Sequence, residues 1–64
     1  MKVSRSKIDI ARANHCMTIS DLAEAYGVSR QRMSTILSHR EVTAVCAGRL
    51  ARALGCDVTD IIEE

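Results

Sequence analysis

Between Thr18 and Leu37 the chain reads TISDLAEAYGVSRQRMSTIL, and this segment restricts the fold more than any other. Thr18 and Asp21 have the spacing of a reciprocal capping box, in which hydroxyl and carboxylate each satisfy a backbone N–H of a starting helix. Leu22, Ala23 and Tyr26 then give an apolar face at i, i+1 and i+4. Gly27 follows, and glycine takes the positive φ that closes a helix without the steric cost other residues meet. Ser29 offers a fresh cap, and Met33, Ile36 and Leu37 form the next apolar stripe. The spacing predicts two short helices around a glycine turn, a helix-turn-helix.

The second of these helices begins with charge of the unexpected sign. A helix N-terminus carries about half a positive charge and favours acids by roughly 0.3–1 kcal/mol. Here Arg30 and Arg32 stand in the first turn instead. Folding alone gives no reason for that choice, but an external anion does. Phosphate sits well at a helix N-terminus, and arginine makes bidentate contacts with phosphate or guanine.

The chain has 64 residues, no Phe or Trp, one Tyr and no Pro, so its core must be built from Leu, Ile, Val, Met and Ala. A domain of that size buries only about 60% of its unfolded surface, which suffices for a marginal core. Ser6 and Asp9 have capping-box spacing and predict a first helix to about Asn14, with Ile8 and Ala11 inward. Ser38 to Val42 reads as a polar loop. Thr43 caps a fourth helix with Ala47, Leu50, Ala51 and Leu54 inward, and Gly55 stops it. Asp57 and Asp60 open a short fifth helix carrying Val58, Ile61 and Ile62. Gly48 inside the fourth helix costs about 1 kcal/mol relative to Ala, which predicts close approach of another helix. The expectation is an all-α, compact five-helix bundle with a central helix-turn-helix, one domain over 1–64, with connections too short for a linker or repeat.

Net charge is only +1, but it is unevenly spread. Residues 1–40 carry seven Lys/Arg against Asp9, Asp21 and Glu24, a net of +4; residues 41–64 carry Arg49 and Arg52 against Glu41, Asp57, Asp60, Glu63 and Glu64, a net of −3. Such asymmetry fits either a basic face for a polyanion with an acidic far side, or two ordinary solvated faces. Cys16, Cys46 and Cys56 are odd in number and lack C-x-x-C spacing, which argues against a disulfide framework or a zinc site and for a reducing cytoplasm. Cys46 and Cys56 read most simply as small buried hydrophobes. No apolar run approaches the roughly 20 residues of a membrane span, and no signal peptide is evident. His15 beside Cys16 does not make a catalytic pair, because sequence neighbours do not face each other on a helix and no third group orients the imidazole. An enzyme is not expected, nor a cofactor, metal or small-molecule ligand. Ile10 and Ile19 fall off the inward faces, as scattered surface residues or, with Ile61 or Ile62, as part of a partner contact.

The chain resembles the Cro and phage-repressor type (XRE family) of helix-turn-helix proteins, with the lambda-repressor-like fold. Thr18, Leu22, Ala23, Gly27, Val28, Ser29, Met33, Ser34 and Ile36 meet the family's T-x-x-x-L-A-x-x-x-G-V-S pattern and its continuation. The ALGCDVTDII tail resembles the family's ending, and the likeness runs from Ile8 to Ile62. It implies a recognition helix whose first residues reach base edges in the major groove. Those positions are Arg30, Gln31, Ser34 and Thr35, with Arg30 suited to guanine and Gln31 to adenine. It also implies phosphate contacts from Thr18, Ser29, Arg32, Ser38, His39 and Arg40. Arg12 corresponds to an arginine near both DNA backbone and core, and is equally a structural arginine bound to carbonyls. Three departures stand out. Ile19 replaces the usual Gln after the cap of helix two, Leu37 replaces a frequent Glu, and Val42 and Val45 leave fewer cations around helix four. Fewer phosphate contacts imply a shallower salt dependence.

The function this implies is a sequence-specific regulator of transcription, a repressor of the kind found on mobile elements, that occupies double-stranded DNA. One recognition helix reads few base pairs, so a homodimer on a pseudo-palindromic site is expected, with Ile61 and Ile62 as candidate anchors. Alternatives from other classes are a protein-binding adaptor or antitoxin-like module and a recombination accessory protein.

Overall fold

A computed structural model describes residues 1–63; Glu64, counted above in the acidic end, lies outside them. Four α-helices, α1 (Arg5–Asn14), α2 (Ile19–Tyr26), α3 (Arg30–Ser38) and α4 (Ala44–Leu54), are followed by a single 3₁₀ turn, Val58–Asp60. The helix boundaries follow from caps. Thr18 and Asp21 form the expected reciprocal pair: the Asp21 N–H donates to the Thr18 hydroxyl at 3.1 Å, and the Thr18 N–H donates to the Asp21 carboxylate at 2.9 Å. Gly27 ends α2 at φ 97°, a left-handed conformation that a Cβ would strain. Ser29 and Thr43 cap α3 and α4, and Gly55 closes α4.

The apolar stripes meet as their spacing predicts. Ile8 and Ala11 of α1, Leu22 and Ala23 of α2, Met33 and Leu37 of α3, and Ala47, Leu50, Ala51 and Leu54 of α4 are all buried in one cluster. Helices α2 and α3 pack on each other, and α4 runs behind α2 and α1. That arrangement fixes α3 from behind and leaves its opposite side in solvent.

Four local expectations are corrected. Helix α1 starts at Arg5, capped by Ser4, whose hydroxyl accepts from the Lys7 N–H at 3.3 Å; Ser6 is inside the helix. Asp9 is drawn to arginines, accepting from Arg5 Nε at 3.1 Å and Arg12 at 2.9 Å. No fifth α-helix forms among the described residues, because the backbone that would continue it is engaged elsewhere. The Ser4 N–H donates to the Ile61 carbonyl at 2.7 Å, and the Glu63 N–H to the Lys2 carbonyl at 2.8 Å. Finally, Gly48 has no close neighbour: a Cβ built on it meets nothing within 4 Å.

Residues 1–4 are the element that helical periodicity does not reveal. They form a strap lying between two segments, bridged antiparallel at Lys2–Glu41 on one side and Val3–Ile62 on the other. The Val3 N–H donates to the Arg40 carbonyl and the Val42 N–H to the Met1 carbonyl, both at 2.8 Å. The Val3 side chain joins the core, only 3% exposed, and Ile61 beside the strap is fully buried. Ile61 is therefore a core residue and not a pairing anchor; of the two C-terminal isoleucines only Ile62 keeps accessible surface.

Candidate nucleic-acid interface

The exposed side of α3 carries Gln31, Ser34, Thr35 and Ser38, flanked by Arg30 on one edge and Arg32 on the other; all six side chains are exposed. This is the face opposite Met33 and Leu37, so burial of the apolar stripe dictates it. Arg30, Gln31 and Ser34 share a shallow hollow with Ile19 from the first turn of α2. Arg32 stands on the other edge of the helix and does not line that hollow. Base-reading positions assigned by resemblance are thus brought together at Arg30, Gln31 and Ser34, with Thr35 one turn further along.

The polar groups are fixed by backbone. Thr35 donates its hydroxyl to the Gln31 carbonyl at 3.2 Å, and Ser38 to the Thr35 carbonyl at 2.6 Å. Both keep oxygen lone pairs outward as acceptors. Thr18 and Ser29 act the other way: as caps their oxygens accept from Asp21 and Arg32 N–H groups, each at 3.1 Å, and the Ser29 hydroxyl keeps its hydrogen to donate to an anion, whereas the Thr18 hydroxyl also bears on the Asp21 carboxylate. His39 ends α3, its N–H on the Ile36 carbonyl, and Arg40 projects from the loop that follows. Among the described residues the ion pairs are Met1–Glu41, Arg5–Asp9 and Arg12–Asp9. Arg30, Arg32 and Arg40 take part in none of them, so their charge is uncompensated.

Arg12 is the exception. Its guanidinium donates to the Met17 carbonyl at 3.1 Å and to Asp9, with the side chain 19% exposed and its Nε buried without a partner. These bonds tie the end of α1 to the entry of α2, the structural one of the two roles the sequence leaves open for Arg12, the other being a phosphate contact. In place of an acid at position 37, Arg12 uses Asp9, and Leu37 is buried. The bond from Arg12, reinforced by Arg5, holds the Asp9 carboxyl below its ordinary value. Asp21 is lowered likewise, first by the Thr18 backbone N–H and then by the Thr18 hydroxyl.

Behind this face, Arg49 lies over the Tyr26 ring at 4.6 Å, and the Tyr26 hydroxyl donates to Cys46 Sγ at 3.4 Å. That bond raises the phenol's pKa above its usual value, and burial raises the Cys56 thiol. Cys46 and Cys56 are half-buried, and Cys16 is exposed at φ 52°. Among the described residues no group of three His, Cys, Asp or Glu is placed to hold a metal ion, and no helix is long and apolar enough to cross a membrane.

Two signals at the interface lay outside the sequence reading. Ile19 sits with Arg30, Gln31 and Ser34, although it falls off the inward stripe of its own helix. The strap anchors the Arg40 loop, although Val3 is a single apolar residue without periodicity.

Two helices set by a glycine turn, with an unpaired basic and amide face on the second, define a helix-turn-helix DNA-binding domain. Residues 7–63 match the model of the Cro/C1-type HTH DNA-binding domain, and the chain belongs to that family. No curated protein and no solved structure matches it.

Proposed function

We propose that the protein is a sequence-specific, double-stranded DNA-binding regulator of transcription that acts by occupancy, as a repressor, with α3 inserted in the major groove. The single observation that carries this reading is the N-terminal turn of α3. Arg30, Gln31 and Ser34 stand exposed together, with arginines where the helix dipole favours acids and with no acidic partner nearby. Arg30 reads guanine and Gln31 adenine, and Ser34 and Thr35 contact the bases beside them. Arg32, Arg40, His39, Ser38, Ser29 and Thr18 hold the sugar–phosphate backbone. The protein works by binding and not by catalysis.

Two copies act together on a pseudo-palindromic site. The molecule is 27 Å in its longest dimension, while equivalent groove faces on one side of the duplex are about 34 Å apart, so one copy reads one half-site. With Ile61 in the core, pairing falls to the surface around Ile62 and the end of α4.

Selection from a random duplex pool, repeated at two salt concentrations, tests the proposal. An enriched two-fold-related sequence, bound more weakly at higher salt, is expected. Failure to enrich any sequence, with binding equal on all duplexes, refutes base reading and favours an architectural role. No binding at either salt concentration refutes DNA as the partner and favours the adaptor reading.

A further inference from the structure

We infer that Ile19 is a specificity residue: the hollow it forms with Arg30, Gln31 and Ser34 accepts the C5 methyl group of a thymine. The inference rests on the DNA-reading function proposed above. Ile19 is the first residue of α2, fixed by the capping box at Thr18 and Asp21, and its side chain is half-buried against the core. What remains exposed of it lines the hollow beside the start of α3. Isoleucine has no donor for a phosphate or a base edge, so its contribution to a DNA surface is dispersion and exclusion of water. In the major groove the thymine methyl is the apolar group that a base presents, and aliphatic contact with it distinguishes thymine from cytosine. The other three walls agree with that occupant. Arg30 holds the phosphate or guanine alongside, and Gln31 and Ser34 supply polar contacts to the neighbouring base edges. The hollow therefore combines one rigid apolar wall with a polar, cationic rim, the pattern that fits a pyrimidine edge carrying a methyl group.

The test uses the duplex that selection enriches. Each thymine is replaced singly by deoxyuridine, which removes the C5 methyl and keeps base pairing. One thymine per half-site is expected to respond, with binding about four-fold weaker, the effect of exposing one buried methyl group. Ile19→Ala is expected to bind the deoxyuridine and thymine duplexes equally, while keeping the wild-type preference at the other base positions. Because Ile19 also touches the core, Ile19→Gln serves as a second variant that keeps a long side chain there with a polar end; it is expected to lose the same discrimination, with folding checked by thermal melting. Three results overturn the inference while leaving the DNA-reading function intact. They are no thymine responding to loss of its methyl, folded Ile19 variants that keep the full thymine-to-deoxyuridine ratio, and Ile19 variants that weaken every sequence equally, which marks a sugar–phosphate contact. If no duplex is enriched at all, the functional reading fails first and this one with it.

Discussion

Arg30 and Gln31 differ from Arg40 in what their loss removes. Both project from the start of α3 into the hollow, so Arg30→Ala and Gln31→Ala should each weaken binding of the selected site by about 1–3 kcal/mol and relax preference at one base position. Titrations against single-base variants of the site check this. Arg40 stands on the loop and forms no ion pair among the described residues, so Arg40→Ala should weaken all sequences alike and lower the slope of log affinity against log salt by about one. At the same scale, Asp9 and Asp21 set the acid limit of the fold. Both are lowered from 3.8 in the folded state, so the folded chain binds fewer protons than the unfolded one. Their contribution is full above the ordinary carboxylate range and is lost as pH falls through their folded values. Urea midpoints should therefore be flat with respect to these groups from about pH 7 to 5 and decline below about pH 4. Asp9→Asn and Asp21→Asn should lower the plateau and flatten that decline.

Among the elements, the glycine that closes α2 and the one inside α4 have opposite consequences. Gly27 needs its positive φ to turn the chain from α2 to α3, and Gly27→Ala should cost about 1–2 kcal/mol. Gly48 is in ordinary helix with open space beside it, so Gly48→Ala should stabilise by about 0.5–1 kcal/mol. Equilibrium urea unfolding of the two variants gives shifts of opposite sign if these backbone readings hold. The helices themselves were legible because their signals are local. Thr18–Asp21, Gly27, Ser29, Thr43 and Gly55 each satisfy or release backbone groups within a turn of their own position. The start of α1 is ambiguous in the sequence because Ser4 and Ser6 are chemically equivalent caps. Arg5 and Arg12, holding Asp9 from both sides, take away the carboxylate that Ser6 needed.

Over the whole molecule, the strap at residues 1–4 connects the Arg40 loop to the C-terminal segment, so a change at Val3 is felt at both. Val3→Ala removes two buried methyl groups and should cost about 2 kcal/mol. In a domain of this size that corresponds to a fall in Tm of roughly 8–16 °C, measurable by circular dichroism. Sedimentation of the free protein and of its complex with the selected duplex tests assembly. A monomer or weak dimer in solution and two copies per site are expected, with Ile62→Asp reducing cooperativity. A single copy bound with full specificity to an asymmetric site would rule out the pair.

The sequence by itself determined the four helices, the caps of α2, α3 and α4, the inward stripes and the outward polar strip on α3. Each of these depends on spacing within a few residues, and a 3.6-residue period is visible in one dimension. The tertiary structure alone decided the fate of Val3, Ile61, Arg12 and Ile19. Val3 and Ile61 are buried because residues 1–4 pair with partners some forty and sixty positions away, and antiparallel bridges of one or two residues leave no periodic trace. The same pairing ended the C-terminal helix at a single 3₁₀ turn. Arg12 became structural because α1 and the entry of α2 place the Asp9 carboxylate and the Met17 carbonyl around one guanidinium. Ile19 came to lie beside Arg30, Gln31 and Ser34 because α2 packs on α3 and brings the first turns of the two helices together.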